Sequence, residues 1–112
     1  MEAGDFDGVF RQLLVTLDEL VALLRRVGED RWADRIAADR QAIERGDRHG
    51  LDHFLSAFGG MGSLNDLIIH PLNGHDVGAN DAEAVNELLS RLLGEAWGDA
   101  KAMRNELDRP RY

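Results

Sequence analysis

The chain has 112 residues, 13 Lys+Arg against 21 Asp+Glu for a formal charge of −8, and no cysteine. That length implies one compact domain over 1–112, burying roughly two-thirds of the surface its unfolded form exposes, and 44% hydrophobic residues are too many for a disordered tail. The acidic balance excludes a nucleic-acid module, which needs a clustered basic surface. Every basic residue but Lys101 is an arginine, and these alternate with acids as on solvated helix faces. The longest aliphatic run, 20–24, falls far short of the ~20 residues that cross a bilayer. The start, Met1 to Asp5, is acidic where a secretory signal is basic. Without cysteine there is neither a disulfide framework nor thiolate chemistry, and the expected compartment is the cytoplasm.

In chain order, Phe6, Phe10, Leu13, Leu17, Leu20, Leu24 and Val27 recur at spacings of three and four. They predict an amphipathic helix over 6–27, stopped by Gly28. Glu29 and Asp30 favour the start of a second helix, whose thinner stripe of Trp32, Ala33, Ile36, Ala37 and Ile43 ends at Gly46. Asp39 projects into that stripe, an unusual place for a carboxylate, and is expected to pair with Arg35 or another arginine. A short third helix, capped by Asp47, is predicted over 47–58 from Leu51, Phe54, Leu55 and Phe58.

The fourth helix opens with a capping-box pattern, Asn80 to Glu83, and buries Val85, Leu88, Leu89, Leu92, Ala96, Ala100, Met103 and Leu107. Pro110 follows its end. Gly94 and Gly98 fall on the opposite side, near Trp97, where they mark a bend or a second contact surface. The fold class is therefore all-α: a small bundle of four main helices, with a long Gly-rich irregular connection (59–79) between helices three and four.

Composition changes abruptly in the middle. Seven of the twelve glycines lie between 46 and 78, all four histidines lie between 49 and 75, and 51–80 contains no Lys or Arg. Gly59, Gly60 and Gly62 permit backbone conformations closed to other residues, and Ser63 to Asp66 resembles a cap opening a short helical turn. Pro71 and Asn73-Gly74 end that turn early, with a small hairpin pairing 67–70 and 75–77 as the alternative.

Three chemistries compete for this segment. Amides of a Gly-rich loop hold anions, but no GKS or GKT ending, preceding strand or basic residue accompanies them, so the glycines read better as conformational punctuation. His49 and His53, spaced i, i+4, have the spacing of metal ligands that His70, His75, Asp66 and Asp76 would complete, yet the helical wheel turns the first two away from Leu51 and Phe54. Ser63 with His70 or His75 and Asp66 has the residue types of a hydrolase but no G-x-S-x-G elbow. No enzyme, cofactor or metal is expected.

The run Leu20 to Leu24, Gly28-Glu29, Trp32-Ala33, Ile43, Gly46-Asp47, then FLSAFGGMGSLNDL over 54–67, resembles a family of small bacterial proteins known only as a domain of unknown function. The resemblance covers about 10–75 and implies a mostly helical bacterial protein, with no reaction, ligand or site attached. By analogy with small acidic immunity proteins, the chain reads as a non-enzymatic protein-interaction module, its negative field steering it to a basic protein partner. The candidate ligand- or partner-binding residues are Gly59, Gly60, Gly62, Ser63, Asn65, Asp66, His70, Asn73, His75 and Trp97. The runner-up is a small-ligand or metal-binding protein using 59–75. The first helix's seam serves a monomer or a homodimer equally well.

Overall fold

The apolar stripe that starts at Phe6 forms α1 (Ala3–Arg26) in the computed structural model, which describes residues 1–59 and 61–110. Leu13, Leu17, Leu20 and Leu24 are fully buried on it. Each such side chain contributes about 1.5–3 kcal/mol relative to exposure. Asp5 in the first turn and Arg25 and Arg26 in the last complement the helix dipole. Gly28, at φ +80°, ends the helix as expected, and the Glu29 amide reaches back to the Leu24 carbonyl at 2.8 Å.

The chain then reverses into α2 (Asp30–Glu44), antiparallel to α1: Arg25 pairs with Asp34 at 2.9 Å and Arg40 with Asp18 at 2.8 Å. Gly46, at φ +81°, turns it into α3 (Arg48–Leu55), where Asp47 caps by accepting from the His49 amide at 2.9 Å. α3 ends three residues before the expected Phe58, because 56–58 form a turn. Phe58 still packs edge-on against Phe54, 5.3 Å between ring centres.

α4 (Ala82–Leu107) runs antiparallel to α1, so that the Met1 ammonium lies 3.6 Å from Glu106. Leu89, Leu92, Ala96, Ala100 and Met103 are buried as expected, and Leu93, off the predicted stripe, is buried too. Leu107 is not: at the bundle end it is 41% exposed beside Phe6 and Phe10. Asn80 does not cap α4. The N-cap is Asp81, whose backbone (φ −98°, ψ −13°) is already near-helical and whose side chain makes no capping bond, so Asn80 lies one residue too early.

Among the described residues there are four helices and no strand, the all-α bundle that periodicity predicts. The connection carries two 3-10 turns, Leu64–Asp66 and Pro71–Asn73. The hairpin alternative fails because Asn86 occupies both the amide and the carbonyl of Ile69, leaving no ladder for 75–77 to join.

Candidate functional site

Two apolar pegs, Leu64 and Ile69, are fully buried and fasten the connection to the helices. Leu67 and Val77 lean on the core, and the rest is held by individual hydrogen bonds, most of them from side chains to backbone. Asn86 Oδ1 accepts from the Ile69 amide and Asn86 Nδ2 donates to the Ile69 carbonyl, both at 2.8 Å. Asn73 Nδ2 donates to the Ile68 carbonyl at 3.0 Å, and the Asp76 amide to the Val27 carbonyl at 2.9 Å. These bonds drape the loop over the end of the body where α1 meets α2.

The Gly59 and Gly62 amides, the anion donors of the sequence reading, are taken by the loop itself. Gly59 N–H donates to Asn65 Oδ1 at 3.0 Å, Ser63 Oγ donates to the same oxygen, and Gly62 N–H donates to Asp66 Oδ2 at 3.1 Å. A carboxylate thus occupies the position an incoming anion would need. Gly60 lies outside the described residues.

The histidines have separate tasks. His75, with its side chain buried, accepts the His70 N–H on Nδ1 at 3.1 Å and lies 3.0 Å from Glu29 Oε1 through Nε2. His70 Nδ1 accepts from the Leu72 amide at 3.1 Å, and His49 is exposed. Among the described residues no three His, Cys, Asp or Glu side chains come together to hold a metal.

Eight of the ten site residues picked from sequence divide between two clefts; His70 lines neither, and Gly60 lies outside the described residues. Gly59, Asn65 and Trp97 line an open groove of about 510 Å³, with Leu55, Phe58 and Gly94. Gly62, Ser63, Asp66, Asn73 and His75 meet in a smaller cleft of about 300 Å³ walled by Trp32 and Glu29. Around them the loop displays Met61 (101% exposed), Leu72 (90%) and Ile68 (60%) to solvent.

Sequence reasoning also misses the partner of Asp39. Asp39 is buried in the α2 stripe as feared, but its partner is neither Arg35 nor another arginine: His53 Nδ1 lies 2.6 Å from Asp39 Oδ1. α3 lies so close to α2 that a Cβ on Gly50 would stand 2.5 Å from Ala42 Cβ and 3.0 Å from the Asp39 carbonyl, and this approach carries His53, one turn on, over the carboxylate. Arg35 instead donates to the His53 carbonyl and to Ser56 Oγ, both at 3.2 Å, and stacks on Trp32. Burial lifts the Asp39 carboxyl above its ordinary value, against the lowering pull of the His53 hydrogen bond and of the His53 and Arg35 charges. The signal was the carboxylate on an apolar stripe; the identity of its partner was not readable from one helix.

No curated protein and no solved structure matches this chain. The matched stretch of the family comparison starts later than the expected 10–75: it takes in the end of α1, all of α2 and α3 and most of the connection, and leaves out α4 with Trp97. Over residues 25–78 the chain matches the family model described as "Domain of unknown function (DUF6966)".

Proposed function

We propose that the protein is a non-enzymatic interaction module that docks a basic protein partner through the arginine-free loop and the groove beside it, in the manner of an immunity protein covering a toxin. The observation that carries this reading is the display of Met61, Ile68 and Leu72 on a loop whose backbone is fixed by Asn65, Asp66, Asn73 and Asn86. Apolar side chains presented on an ordered backbone lose little entropy on docking. The chain's −8 charge speeds encounter with a cationic surface. In this reading the protein works in the cytoplasm, in keeping with a cysteine-free chain in which no described helix is long and apolar enough to cross a membrane. Affinity capture from the native host with wild type and a Met61→Glu, Leu72→Glu double variant tests it. Both side chains are exposed, so the variant keeps its fold by circular dichroism. The expected result is one basic protein recovered by wild type and lost by the variant; equal recovery, or none by wild type, defeats the reading.

A second reading rests on the smaller cleft. Trp32, Glu29 and Asp66 together offer an aromatic face and two carboxylates, a setting for a small cationic ligand rather than an anion. Thermal shift with putrescine and with arginine is expected to stabilise wild type but not Trp32→Ala; no shift with wild type removes the cleft from consideration.

A further inference from the structure

The outer face of α4 carries features that packing within the chain leaves unexplained. Gly94 and Gly98 sit in the helix interior, where glycine weakens a helix relative to alanine. A Cβ at either would meet nothing within 4 Å, so no neighbouring element of the chain requires the missing side chain. Trp97, beside them, is 44% exposed. At about 100° per residue, Glu87, Ser90, Gly98 and Lys101 all project within about 40° of Gly94. They form one face directly opposite the buried Leu92, Ala96 and Met103.

That face is complementary to itself when reversed. Glu87 and Lys101 lie seven residues to either side of Gly94, and Ser90 and Gly98 four to either side. Among the described residues neither Glu87 nor Lys101 has an ion-pair partner, and Lys101 is the only lysine in a chain of charge −8. It is held on this face, 5.8 Å from the centre of the Trp97 ring.

We infer that the protein pairs with a second copy of itself through the outer face of α4, the two helices antiparallel about a two-fold axis at Gly94. In that arrangement Glu87 of each copy meets Lys101 of the other. The glycines let the backbones approach, and each Trp97 covers the small Ser90 surface opposite. A parallel pair would set like charges against one another, which selects the antiparallel one. The interface is isologous, and a single helix pair belongs to the small, transient class, with micromolar affinity. The inference uses none of the displayed loop residues, but Ser90, Gly94 and Trp97 also line the groove of the docking reading, so a second copy and a basic partner would compete for that groove.

Charge reversal with recombination tests the symmetry. By analytical ultracentrifugation up to about 500 µM, wild type is expected to dimerise reversibly. Glu87→Lys alone and Lys101→Glu alone each create two like-charge contacts and are expected to weaken the dimer about tenfold or more. Mixed in equal amounts, these two variants restore both pairs in a heterodimer, which should regain wild-type affinity. Gly94→Gln, which improves helix propensity and so folds, is expected to be monomeric. A monomeric wild type, a dimer indifferent to Gly94→Gln, or a mixture no tighter than its components overturns the inference, and none of these outcomes bears on Met61 and Leu72.

Discussion

In α1, Leu13, Leu17, Leu20 and Leu24 repeat one interaction, burial of a leucine on a single stripe. In the connection between α3 and α4 nothing repeats: Ala57, Leu64 and Ile69 are buried at irregular intervals, Phe58, Leu67 and Val77 lean on the core, and the rest depends on individual bonds from Asn65, Asp66, Asn73, His75 and Asn86. Losing one of the repeated apolar contacts opens a cavity whose cost falls on the whole packed body. A polar anchor has no substitute nearby, and losing Asn86 leaves the backbone groups of the buried Ile69 without partners. The body should therefore fail as a whole, whereas the loop should fail locally.

The largest expected effect tests the body. Phe54 is fully buried between α3 and its neighbours and holds Phe58 edge-on, so Phe54→Ala should cost about 3–5 kcal/mol. A lower denaturant midpoint with an unchanged slope would register global loss; a changed slope would show that α3 melts separately.

Next comes the loop's double anchor. Asn86→Ala strands both the amide and the carbonyl of Ile69, at about 1–3 kcal/mol for each group left unsatisfied. Hydrogen exchange should accelerate across 64–77 and leave α1 protected. Uniform acceleration would mean that loop and body form one cooperative unit, which would erase the contrast between them.

These two cases also mark what could be read in the sequence. The helices, their glycine stops at 28 and 46 and the Asp47 cap were legible, because each follows from a few neighbouring residues. Asn86 was not, since an asparagine in a helix announces nothing until the loop crosses it. His75 and Glu29 lie 46 residues apart, and no local pattern relates them. The groove at Trp97 was half legible: the wheel put Trp97 off the core, but only the loop's path made it a wall.

A third effect, smaller and dependent on pH, concerns the seam between α2 and α3. Asp39 is lifted above its ordinary value of 3.8 chiefly by burial, so the folded state takes up its proton more readily than the unfolded chain. For a carboxyl raised in this way, the contribution to stability is fully present below the unfolded value and is lost as pH rises through the folded one. In denaturation series on wild type and Asp39→Asn, the difference in unfolding free energy should therefore move in favour of wild type as pH falls from neutral. It should level off below 3.8. A difference that moves the other way would mean that the pull of His53 outweighs burial.

The smallest effect separates two asparagine- and aspartate-bearing helix starts that look alike on paper. Asp47 accepts from the His49 amide at 2.9 Å and has the extended backbone a cap requires, so Asp47→Ala should cost about 1 kcal/mol. Asn80 has the right residue type and spacing to Glu83, but Asp81 is already near-helical and takes the cap position without a side-chain bond, so Asn80→Ala should stay within about 0.5 kcal/mol of wild type. Thermal midpoints measured side by side decide this. Equal losses would mean that Asn80 swings to the helix end in solution and that the capping box is formed after all. An effect confined to Asp47 means that the turn made by the Asp81 amide on the Gly78 carbonyl, 2.9 Å long, fixes where α4 begins. The start of α4 would then belong to the loop's individual bonds, although its body belongs to the apolar stripe.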